Sequence, residues 1–184
     1  MSKTTIEPSV VLTICTSDIF DIKLVLRNIK GDILELRSIS KLPKLHIVRK
    51  NVISVINELL QLYDIDTIIL EETKLFLDKI DKYPDPYILN NVCLNYGLKI
   101  SIEDNYYNYV KYIMEYSKYE WRKYVLGHNK YGVDLFKNHV LNTIPLTEAE
   151  IEEVGSGRYF EVLCMSDVVK YNTLLNKKYQ INNE

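Results

Sequence analysis

The sequence predicts an α/β domain, a mixed sheet of about five strands covered by helices. Three observations predict it. Runs near the start alternate apolar and polar residues with period two on either side of a tight turn. A longer run then repeats apolar residues at spacings of three and four. After it comes TIIL, short and mostly apolar, which suits a central strand covered on both faces and parallel to the first. At 184 residues the chain suits one domain and is short for two, so residues 1–184 are read as a single domain.

Each element follows from local pattern. SVVLTICTSD holds the first strand, Val10 to Cys15. In FDIKLVLRNI, Ile22, Leu24 and Leu26 alternate with Lys23, Val25 and Arg27, the pattern of a half-buried strand. Gly31 supplies the permissive position of the KGD turn, and ILELRSIS alternates again, so the chain opens with antiparallel hairpins. Val48, Val52, Val55, Ile56, Leu59, Leu60 and Tyr63 then line one face of an amphipathic helix. TIIL is the fourth strand. DPYILNNVCLNYG predicts a helix capped by Asp85, opened by Pro86 and stopped by Gly97, and LKISI reads as the fifth strand. YYNYVKYIMEYSKYEWRKYVLG reads as helical up to Gly127. Thr147 and Glu150 form a capping-box pair at the head of another helix, GSG breaks the chain, and YFEVLCMSDVVKYNTLL is the final helix.

Composition bounds the function classes. The net charge is −2, which gives no support to a strongly basic nucleic-acid binder and leaves a soluble enzyme or a binding module open. Cys15, Cys93 and Cys164 are far apart with no CxxC pair, which fits reduced thiols better than a disulfide framework. No apolar run approaches the roughly 20 residues of a membrane span, and the start lacks a leader-like core, so a soluble cytoplasmic protein is expected.

The stretch DTIILEETKLF raises the functional question, because a strand that reads as buried runs into Glu71 and Glu72. In this topology the first strand and TIIL lie side by side, and their carboxyl ends, near Cys15 and Glu71, meet where open α/β sheets carry their sites. Glu71 is then either a strand end reaching solvent or a carboxylate for a hard cation such as Mg²⁺. Asp167, inside the apolar run VLCMSDVVKY, is either on a polar face or needs a partner, a metal or a route to water. Lys111, Lys118, Arg122, Lys123, Lys130 and Lys137 are set against Glu115, Glu120 and Asp134 and interleaved with tyrosines. Cations with aromatics suit phosphate contact and base stacking, and equally a solvated helix whose tyrosines pack a core or a partner.

The strand order, the Glu after the first helix and the acid on the last helix resemble the RuvC-type Holliday junction resolvases. The resemblance runs from Val10 to about Leu175. It implies an RNase H-like fold, a homodimer, and Mg²⁺-dependent cutting of four-way DNA junctions. IILEET resembles the family's acidic strand and gives that role to Glu71. EWRKYVLG followed by GVDLFKNHV resembles a phage-type segment and suggests Lys137 as the basic residue near the scissile phosphate. CMSDVVKY resembles the closing helix, where two acids stand three residues apart. The sequence departs from the family at two of four acidic positions. Cys15 stands where the first strand carries Asp, and Cys164 stands at the first closing-helix position, which leaves Glu71 and Asp167 as the metal-binding pair.

A neutral thiol is soft and suits Zn²⁺ or Cu(I) rather than Mg²⁺. Asp18 or Asp21 is a distant substitute for the missing Asp, and a four-ligand zinc site finds no matching spacing. The expectation is a resolvase-like protein acting on branched DNA with an impaired or lost divalent-metal site. The alternatives are an active Mg²⁺-dependent junction endonuclease and a non-catalytic protein-interaction subunit of a larger assembly.

Overall fold

The computed structural model describes residues 10–16, 21–28, 30–41, 44–72 and 86–170. Among them the order is β1 (Val10–Cys15), β2 (Asp21–Asn28), β3 (Ile33–Ser40), α1 (Leu45–Leu62), β4 (Ile65–Glu72), α2 (Pro86–Tyr106), β5 (Tyr112–Ser117), α3 (Lys118–Leu126), α4 (Val133–Thr143), α5 (Glu148–Ser156) and α6 (Phe160–Ser166). The strands form one mixed sheet in the order β3-β2-β1-β4-β5. The opening hairpins are antiparallel, and β4 runs parallel to both β1 and β5.

The sheet separates two apolar cores. Leu12 and Ile14 of β1, Leu24 and Leu26 of β2, and Ile68 and Leu70 of β4 pack under α1 and α2. Val11, Cys15, Val25 and Ile69 face the other way, under Trp121, Phe136, Val154, Leu163 and Cys164 from α3 to α6. Both faces of β2 are therefore buried. The expected half-buried strand is not found: Lys23 and Arg27 lie beneath the second layer at 6% and 4% exposure, each with polar partners.

The fifth strand is not LKISI. That run lies inside α2, because Leu94, Leu98, Ile102 and Tyr106 recur every fourth residue and all four are buried. Gly97 does not end the helix. It sits mid-helix where the Arg49 side chain crosses, with Nη1 only 3.2 Å from where a Cβ would stand. The fifth strand is YIMEYS, expected to be helical, and α3 starts only at its end. There Ser117 and Glu120 form a reciprocal capping box, and Gly127 closes α3 with a left-handed φ of 76°. The Thr147–Glu150 capping box forms as expected. Of the expected final helix, α6 covers Phe160–Ser166 and residues 168–170 are again helical after a turn, while residues beyond 170 lie outside the described ones, as do Asp18 and the expected cap Asp85. No helix among the described residues is long and apolar enough to cross a membrane.

Candidate functional site

The parallel β1–β4 ladder pairs Thr13 with Ile69 and Ile14 with Leu70, so the next residues on each strand, Cys15 and Glu71, emerge together at the carboxyl rim of the sheet. The Cys15 thiol points at Glu71 Oε2 across 3.6 Å. The same oxygen accepts from the backbone N–H of Thr16 at 3.0 Å and from its hydroxyl at 3.3 Å. Glu71 is only 4% exposed, so this carboxylate is a buried, hydrogen-bonded group and not a strand end in solvent. It also borders a cavity of about 420 Å³ between the sheet and α2.

The last helix supplies the opposing wall. Phe160, Leu163 and Cys164 pack on the face that carries Cys15. The acid of α6 whose charge reaches Glu71 is Glu161, one turn before Cys164. Burial raises its carboxyl pKa first, the charge of Glu71 raises it further, and Arg122 and Lys118 pull it back. Glu161 Oε1 is 2.8 Å from Arg122 Nη2. Burial pushes the Cys164 thiol far above its usual range, and Asp167 and Glu161 add to the effect. Sequence reasoning passed over Glu161. Its signal was the spacing: Glu161 to Cys164 is the same three-residue step as Cys164 to Asp167.

Asp167 stands elsewhere. Its carboxylate is 2% exposed and meets Arg27 Nη1 at 2.8 Å, His139 Nε2 at 2.9 Å and Lys170 Nζ at 3.0 Å. Arg27 is paired with Val11, four residues before Cys15, a distance of about 13 Å along an extended strand. The acid expected beside Glu71 is thus held toward the amino end of β1. Burial works to raise the Asp167 pKa, but the His139 hydrogen bond and the charges of Arg27 and Lys170 outweigh it and hold the carboxyl well below the usual carboxylate range.

The basic residues divide by position. Lys118 opens α3 directly after Ser117, which pairs with Glu72 at the rim. Lys118, Lys123, Lys130 and Lys137 are exposed. Lys111 lies at the far end of β5, its backbone N–H bonded to Asp66 O at 2.8 Å, about 20 Å of strand from the rim. Arg122 is not on the surface. It is 8% exposed, with its guanidinium 4.9 Å from the Tyr131 ring centroid, 5.2 Å from Trp121 and 5.5 Å from Phe136. Of the tyrosines, Tyr106 is buried, and its hydroxyl donates to Ile53 O and Asn57. Tyr107, Tyr109 and Tyr112 are exposed at the end away from the rim.

The rim is a poor fit for Mg²⁺, which takes oxygen ligands in near-octahedral geometry. Cys15 and Cys164 present thiols on this face of the sheet, and the carboxylate of Glu161 is already paired with a guanidinium. Among the described residues no three His, Cys, Asp or Glu side chains converge to hold a metal ion.

No protein-family model matches the sequence, and no curated protein matches it. Solved structures do. RuvC of Thermus thermophilus in complex with a Holliday junction substrate superposes with a TM-score of 0.60 at 14% identity, covering 85% of this chain and 90% of that one. A second structure of Thermus thermophilus RuvC gives 0.53 at 12% identity over the same shares. The chain accordingly has the RuvC-type, RNase H-like α/β fold, a mixed five-stranded sheet with helices.

Proposed function

We propose that the chain is a resolvase-like protein that binds branched DNA and has lost the divalent-metal step that would cut it. One observation carries the reading: at the rim of a RuvC-type sheet, the residue of β1 that meets the carboxylate of Glu71 is the Cys15 thiol. Two-metal hydrolysis of a phosphodiester needs several oxygen ligands clustered around both ions. Here Glu71 is the surviving strand carboxylate, and Asp167 is committed to Arg27, His139 and Lys170.

Binding needs less than cutting. Lys118 begins α3 at the rim, and Lys123, Lys130 and Lys137 are exposed on α3, α4 and the segment between them, offering cations to a phosphate backbone. The solved RuvC of similar fold is bound to a Holliday junction, which makes a four-way junction the first DNA to try. A homodimer, two copies engaging one junction, is part of the proposal and is read by sedimentation. The test is a gel shift on a four-way junction across a salt series, with Mg²⁺ and Mn²⁺ cleavage assays in parallel. Salt-sensitive retention without cleavage is the expected result. Cleavage that disappears in Glu71→Gln would replace this reading with the active endonuclease.

A second reading has its own observation. Tyr107 and Tyr109 are each 77% exposed and Tyr112 is 52% exposed, a concentration of aromatic surface at the end away from the rim. It favours a non-catalytic subunit that docks on another protein. Failure to retain a junction even at low salt is the outcome that selects it.

A further inference from the structure

We propose that the Arg122 guanidinium is the resident cation of the rim: by holding Glu161 it takes the charge-neutralising place of a divalent ion and keeps Mg²⁺ and Mn²⁺ out. Arg122 is an unusual residue to find in this layer. It is a permanently charged side chain 8% exposed, walled by the rings of Trp121, Tyr131 and Phe136. Its Nε has no hydrogen-bond partner among the described residues. What compensates its burial is the 2.8 Å contact from Nη2 to Glu161 Oε1, together with the ring faces.

Geometry makes this pair exclusive of a metal. Arg122 stands one turn along α3 from Lys118, which directly follows Ser117 at the rim, so a cation drawn to this end of the sheet meets Glu161 already held at 2.8 Å. A divalent ion there would first have to strip the carboxylate from a guanidinium that aromatic packing holds in place. It would then sit within a few ångströms of that positive charge, where repulsion in a poorly solvated site is large. Another buried cation of this face, Lys23, is likewise committed, to Asp21 Oδ2 at 3.1 Å and Ser38 Oγ at 2.8 Å. It lies directly across the ladder from Cys15, with its ammonium 5.1 Å from the Tyr159 ring centroid. Substituting the two thiols by carboxylates would therefore not restore a metal site while Arg122 remains.

The inference rests on the reading of the rim as unfit for Mg²⁺. Its test uses no DNA, so failure to bind a junction would leave it standing. Mn²⁺ binding to the full chain is measured from loss of the free-ion paramagnetic signal. Four proteins are compared: the native chain, Cys15→Asp with Cys164→Asp, that pair with Arg122→Met added, and the triple variant carrying Glu161→Gln. The native chain and the double variant are expected to bind weakly. The triple variant is expected to bind at least about tenfold tighter, and to lose that gain with Glu161→Gln. A double variant that binds as tightly as the triple overturns the proposal, since Arg122 would then exclude nothing. A second measurement covers variants that fail to fold. The guanidinium N–H resonances of Arg122 in the native chain are followed by NMR during a millimolar Mg²⁺ titration. Unchanged resonances support the assignment, and displacement by Mg²⁺ overturns it.

Discussion

Asp167 is one side chain with cationic or hydrogen-bonding neighbours from several parts of the fold, Arg27 of β2, His139 and Thr143 of α4, and Lys170 after α6. Replacing it by Asn leaves Arg27 buried without its counter-charge, so Asp167→Asn should cost about 3–5 kcal/mol in urea unfolding. The pH dependence has a definite sign. The folded pKa is depressed, so the contribution is fully present above the unfolded carboxyl value of about 4 and is lost as pH falls toward the folded value. Between neutral pH and pH 3 the native chain should lose more stability than Asp167→Asn, and equal losses would refute the assignment. This residue also marks where sequence reading stopped. For an acid in an apolar run the sequence left a polar face, a partner, a metal or a route to water open, and the structure gives it partners. Nothing in CMSDVVKY could tell whether that partner was a metal beside Glu71 or an arginine hidden in an alternating strand. Arg27 looked like the exposed half of a hairpin, and only the covering of β2 by α6 made it buried.

At the scale of elements, the hairpins, α1, β4 and the meeting of Cys15 with Glu71 were legible, because each rests on a pattern that one layer of packing enforces. The stretch from α2 to α3 was not. Gly97 and the β-branched residues of LKISI argued locally for a stop and a strand, while burial every fourth residue from Leu94 to Tyr106 argued for one continuous helix and prevailed. Gly97→Ala tests that account. It removes a helix-interior glycine, and the only close neighbour of the new Cβ is the exposed, flexible tip of Arg49 at 3.2 Å. A gain of about 0.5–1 kcal/mol in thermal unfolding is expected. The SxxE signal at Ser117 and Glu120 was readable and would have started α3 correctly. Ser117→Ala should cost about 1 kcal/mol by the same measurement, because Ser117 Oγ accepts from Glu120 N–H at the head of the helix that carries Arg122.

For the molecule as a whole, the proposed binding of DNA has one preferred end of the sheet. The cations of α3 and the cation at the amino end of β5 should behave differently although they belong to one sequence cluster. Lys118→Ala with Lys123→Ala should weaken junction retention and lower the slope of log affinity against log salt by about 0.9 for each phosphate that is no longer neutralised. Lys111→Ala should leave both unchanged, and an equal effect from Lys111 would mean that DNA runs along the sheet and not across its rim. The fold class and mixed topology were available from sequence because they depend on summed patterns, whereas the count of five strands came out right with the fifth placed on the wrong segment. The identity of the rim acids depends on the rotational setting of a seven-residue helix, and a three-residue spacing fits two successive turns equally well. One more property follows from the packing of α3. The chain has one tryptophan, Trp121, fully enclosed and in contact with both Arg122 and Phe136. Its indole emission therefore originates from a single spot next to the rim, which turns the protein into its own unlabelled optical probe: any ligand that shifts Arg122 changes the colour or yield of that light, and any ligand bound at the tyrosine end leaves it dark to the event.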